Sequence, residues 1–112
     1  MMKFFLLSIL IAGLSIHADG QKIFSVDSKY DADIKVFVAN SKYDADLIVF
    51  KCSSKYDAKE NKGLWFFVGS KYDADKKVFF VDSKYDADLI IFFSDSKYDA
   101  EWKKSSKKQI MY

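Results

Sequence analysis

Four Asp-Ala-Asp triplets stand in this chain: Asp31 with Asp33, Asp44 with Asp46, Asp73 with Asp75, and Asp86 with Asp88. Two alternate carboxylates on one face of an extended segment could begin a site for a hard cation such as Ca²⁺, which gathers several oxygen ligands. Other features oppose that chemistry. Lys29, Lys42, Lys71 and Lys84 each lie two residues before the first Asp of a pair, the third repeat ends in Lys59 and the sixth in Glu101. The Gly-rich spacing of calcium-binding repeats is also missing. Turn formation with Lys–Asp pairing is the expected role of these aspartates, each exposed pair contributing ~0–1 kcal/mol. No metal or other cofactor is expected.

Carboxylate-based hydrolysis needs one acid with a raised pKa beside another kept ionised, and therefore two unlike environments. Near-identical turns supply near-identical environments. The chain has one histidine, His17, and neither a Gly-x-Ser-x-Gly elbow nor a phosphate loop. The expectation is a protein that is not an enzyme. A second recurring group is Tyr30, Tyr43, Tyr56, Tyr72, Tyr85 and Tyr98. Exposed, these rings could stack against sugars, giving a cation- or glycan-binding repeat protein as the alternative function. A ring present in every copy is expected instead to pack, with its hydroxyl bonded to backbone. Nucleic acid is not an expected partner, because the chain has no arginine and its lysines have aspartates nearby. Lys103, Lys104, Lys107 and Lys108 read as a solvated basic tail, with contact to an anionic surface as the alternative.

The elements that must position these groups are set by a repeat. Ser-Lys-Tyr-Asp-Ala begins at residues 28, 41, 54, 70, 83 and 96, in steps of 13 broken once by a step of 16. The long step holds Glu60-Asn61-Lys62-Gly63, so the chain divides into repeats 22–59 and 64–101, a central insertion 60–63 that turns at Gly63, and a tail 102–112. Four residues before each Ser stands Phe24, Phe37, Phe50, Phe66, Phe79 or Phe92, preceded by Ile23, Val36, Val49, Trp65, Val78 or Ile91. Short β-branched and aromatic runs bounded by Asp, Asn, Ser or Gly read as strands. A helix would scatter the Phe column, since 13 residues turn it by about 220°. If extension persists through the unit, the Phe, Ser, Tyr and Ala share one face, and the six phenylalanines fill a common interior. The expected fold is one compact all-β domain of six strand-turn repeats. Trp102, Ile110 and Tyr112 are candidate anchors for the tail.

Met1-Met2-Lys3, the apolar run Phe4 to Leu14 and Ala18 before Asp19-Gly20 have the form of a signal peptide over residues 1–18. A largely apolar run of eleven residues is too short to span a membrane. Cleavage is expected after Ala18, an uncleaved anchor being the other reading, and the protein is expected to be secreted or periplasmic and monomeric. Once Lys3 is removed, 17 lysines face 16 acidic residues, a balance that implies no whole-domain attraction to a polyanion. Cys52 is the single cysteine, so no internal disulfide is open to it, and its place among Val and Ala in sister repeats marks it as a small buried hydrophobe.

With the repeats aligned, the chain resembles the septoil-knot family, small domains named for a seven-crossing backbone knot. The resemblance covers the region after the signal peptide and rests on units such as Val81-Asp82-Ser83-Lys84-Tyr85-Asp86-Ala87-Asp88, on Gly63-Leu64-Trp65-Phe66-Phe67, and on the ending from Trp102 to Met111-Tyr112. Members often carry the Tyr and Ser in exchanged order; here Ser83 precedes Tyr85. It implies an all-β knotted domain and carries no catalytic residues across. The function expected is an exported structural or binding module. Two halves of three repeats also fit a chain wound around itself about a pseudo-twofold axis.

Overall fold

The computed structural model describes residues 21–112, so the expected signal peptide lies outside the described residues. Each repeat is a short strand followed by a single 3₁₀ turn over Lys-Tyr-Asp. The Ser before each turn is extended, and its Oγ accepts the Tyr N–H two residues on at 3.1–3.2 Å. The Ser carbonyl then accepts the Asp N–H at 3.1 Å in every copy. This local competition ends the strand. Extension therefore stops at the Ser, and the expected alternation of faces from Phe through Tyr to Ala does not hold.

The strands are β1 (Gln21–Ser25), β2 (Ile34–Val38), β3 (Leu47–Lys51), β4 (Leu64–Phe67), β5 (Lys76–Phe80), β6 (Leu89–Ser94) and a short β7 (Glu101–Trp102). The first six pair in parallel in the order β4-β1-β5-β2-β6-β3, and β3 pairs back to β4, closing a barrel. Strands from the two halves of the chain alternate around it. A connection from β1 to β2 must therefore cross β5, and its two sides hydrogen-bond to that strand, Val26 N–H to the Val78 carbonyl at 2.9 Å and Asp33 N–H to the Lys77 carbonyl at 2.7 Å. The same holds around the ring. The turns of the first half lie over β5, β6 and β4, and those of the second half over β1, β2 and β3.

The register steps by two residues per strand: Ile23 sits opposite Lys76, Val78 opposite Ile34, Val36 opposite Leu89 and Ile91 opposite Leu47. The strands are accordingly steeply tilted, and Ile23, Val78, Val36, Ile91, Val49 and Trp65 come to one height. All six point inward and are fully buried. Each contributes roughly 1.5–3 kcal/mol of burial. The core column is thus the residue before each Phe. Phe24, Phe37, Phe50, Phe66, Phe79 and Phe92 point outward and are half-buried, which corrects their expected place in the interior. Period-two alternation decides this: with its neighbour inside the barrel, the Phe must face out.

The two barrel ends are closed differently. At one, Phe67, Phe80 and Phe93 gather, with centroids 6.5 Å apart from Phe67 to each of the other two, and the Lys51 ammonium lies 5.5 Å from the Phe67 ring and 5.1 Å from Phe93. At the other, Met111 is buried beneath Gln21, whose Nε2 donates to the Met111 carbonyl at 3.3 Å. Met111 ends a 3₁₀ helix, Ser105–Met111, so the tail is docked. Trp102 and Ile110 pack against the core, as expected of anchors, whereas Tyr112 is exposed and Met111 takes the place assigned to it. The insertion allows the second half to interleave. After β3 the chain crosses β4 and must then step back one strand. It does so through Glu60 at φ 61° and Gly63 at φ 95°, where a Cβ would collide with the Ile48 carbonyl oxygen.

Candidate functional surface

The six turns form a belt of knuckles outside the barrel. Tyr30, Tyr43, Tyr56, Tyr72, Tyr85 and Tyr98 are between 72% and 88% exposed. They do not pack, which corrects the expected role of these rings. The capped 3₁₀ turn carries the Tyr side chain away from the strand it crosses. In every copy the preceding Lys ammonium lies over the ring, 5.4–6.0 Å from its centroid. Among the described residues the ion pairs are Lys62–Glu60, Lys103–Glu101 and Lys107–Asp46, so the turn lysines do not make the expected pairs with the aspartates.

The two aspartates of each triplet do different work. Asp31, Asp44, Asp73 and Asp86 end the turns, exposed to solvent. Asp33, Asp46, Asp75 and Asp88 each clamp the strand their turn has just crossed. The Asp N–H donates to a carbonyl there, and the carboxylate accepts the N–H of the same residue: Lys77 for Asp33 at 2.8 Å, and Ile90, Lys22 and Lys35 for Asp46, Asp75 and Asp88 at 2.9 Å. These backbone donors would otherwise have no ladder partner. The third and sixth repeats, which end in Lys59 and Glu101, are followed by the insertion and the antiparallel β7 in place of a crossing parallel strand. Among the described residues, no three His, Cys, Asp or Glu side chains gather as a metal site would require.

Asp46 goes further than its sisters. Its carboxylate also accepts the Lys107 ammonium at 3.0 Å, and its carbonyl takes the Lys103 and Lys104 N–H groups at 2.8 and 2.9 Å. Lys107 is therefore a structural link, in contrast to the solvated tail expected. Trp102 adds a second link, its Nε1 donating to the Asn61 carbonyl at 3.0 Å. The repeat obscured these roles, since Asp46 is spelled like its sisters. Cys52 is buried as expected; burial, then the Asp57 carboxylate, push its thiol up from the ordinary range, opposed by Lys97.

Open clefts lie between neighbouring knuckles. One, of about 520 Å³, is lined by Phe24, Ser28, Tyr30, Asp31, Lys71 and Lys77 among others, and another, of about 340 Å³, by Lys22, Lys55, Phe66 and Asp73 among others. Both combine an outward Phe with charged side chains from two adjacent turns. Among the described residues no helix is long and apolar enough to cross a membrane.

The class defined by these features is a closed, parallel, six-stranded barrel of tandem strand-turn units whose two halves interleave. The chain belongs to the 7(1) septoil knot domain family, whose model matches residues 20–103. No curated protein and no solved structure matches. The family is a domain of unknown function without a known catalytic role.

Proposed function

We propose that this protein is an exported, non-enzymatic structural module whose chain is threaded as a knot and whose purpose is slow unfolding outside the cell. The observation that carries this reading is the reciprocal covering of the barrel: each strand of one half lies beneath a turn of the other, so a strand leaves only after a segment from the opposite half has moved. Closure removes exposed sheet edges, and interlocked segments raise the barrier to opening, which governs survival where refolding and repair are scarce. A non-catalytic role is supported by the settings of the repeated carboxylates: Asp31, Asp44, Asp73 and Asp86 end similar exposed turns, and Asp33, Asp46, Asp75 and Asp88 accept backbone N–H groups. Export is supported by the basic, apolar and small-residue order of residues 1–18.

Two measurements test the reading. The expected unfolding half-life in water, extrapolated from denaturant, is on the order of days, the slow end of the sub-second-to-days range of small domains, with matching protease resistance. Unfolding within seconds would remove the case for a threaded chain. The N-terminus of protein recovered from the cell exterior is expected at Asp19; retention of the whole chain in the cytosol would remove the case for export.

A further inference from the structure

The fold accounts for most of the repeated motif but not for all of it. The Ser is needed to cap the turn, and the small Ala lies against the barrel, buried or half-buried in every copy. The second Asp clamps a crossed strand, and where the crossing does not lead directly into a parallel strand the residue has changed, to Lys59 and Glu101. The core column has varied as well, from Val to Trp. Where the fold allows a change, at the second Asp and in the core column, the copies have therefore diverged to suit their surroundings, while the capping Ser and the packed Ala are held by the fold. Tyr and Lys have no such role: the rings stand in solvent and the ammonium groups pair with no carboxylate among the described residues, yet both are kept in six copies of six. An exposed ring held in every unit through such divergence points to a task outside the barrel.

We propose that the belt of Lys-Tyr-Asp knuckles is a multivalent binding surface for a neutral polysaccharide. A Tyr face held away from the protein offers its π surface to the C–H groups of a sugar ring, and the flanking Lys and Asp present donors and acceptors for hydroxyls. Each knuckle carries one cation beside the acid that ends its turn, so it has no net charge to select a polyanion. The clefts between neighbours, with Phe24 or Phe66 at the base and Lys and Asp at the rim, suit the next residue of a chain passing from one knuckle to the other. Because the knuckles point outward around the barrel, no flat partner meets all six. A flexible polymer wraps several, and separate polymers are bridged. Weak single contacts then sum to useful avidity.

Co-sedimentation of the full protein with cellulose, chitin and β-1,3-glucan, and calorimetric titration with soluble mannan and dextran, test this. At least one polysaccharide is expected to bind. Replacing Tyr30, Tyr72 and Tyr85 together by Ala should weaken binding at least about tenfold, as loss of half the contacts removes avidity. Changing all six to Ala should abolish it, and all six to Phe should preserve it, with the thermal midpoint unmoved. Should the sixfold Ala variant fail to fold, the triple variant and the Phe variant carry the decision. The proposal is overturned by binding to none of these polymers or by binding that survives the Ala changes. Tyr-dependent capture of heparin or nucleic acid that 0.5 M salt removes, or Tyr-dependent self-association, would overturn it equally.

Discussion

The inner and outer rings of this barrel obey opposite rules. Inside, six positions at one height are filled by Ile, Val and Trp in no repeating pattern, and all are fully buried. Outside, six turns are spelled alike and their rings are exposed. A packed interior is specified by total volume and shape, so one Trp across the axis from smaller side chains fills it as well as six equal residues would. An exposed turn has no such exchange open to it. What recurs there is set by the cap geometry and by whatever meets the surface.

Replacing the inner ring's largest member should have the greatest effect. Trp65→Ala is expected to cost about 3–5 kcal/mol in urea unfolding, since the barrel cannot collapse around the loss. A cost smaller than that of an outer-ring change would mean that the two rings do not differ in this way. Between the rings, Asp46→Ala should cost about 1–3 kcal/mol by stranding the Ile90 N–H and the Lys107 ammonium. Asp33→Ala, which frees only the Lys77 N–H, should cost less; amide exchange at Ile90 and Lys77 gives the local readout. Cys52 sharpens the comparison through pH. Its thiol is held above the ordinary range, so the folded state keeps the proton better than the unfolded chain does. Its contribution is complete below the ordinary thiol pKa and is lost as pH rises through the folded value, a decline that Cys52→Val should not show. The smallest effect belongs to the outer ring: Tyr85→Ala should leave stability within about 0.5 kcal/mol.

Much of the architecture was legible because it is local. The six strands, the turns after them and the bend at Gly63 each follow from a few neighbouring residues. The buried column before each Phe is visible in the repeats too, but size alone favours the larger Phe as the core residue. Alternation says only that the two face opposite ways, and closure of the barrel decides which is inside. The Tyr rings lie outside because one hydroxyl, that of the capping Ser, ends the extended stretch that would have carried them inward. The clamping role of Asp33, Asp46, Asp75 and Asp88 is non-local, depending on which strand lies beneath each turn. No spacing encodes that, though the departures at Lys59 and Glu101 mark the two repeats whose turns do not lead directly into a parallel strand.

The alternation of the two halves has a consequence for synthesis. No strand of β1, β2 and β3 pairs with another of that set, and the same is true of β4, β5 and β6. A nascent chain that has emerged as far as Lys59 therefore holds three of the six barrel strands and not one of the ladders. Its first ladders wait until β4 has emerged to pair with β1 and β3, so lasting structure cannot begin to form before the second half of the chain is being made.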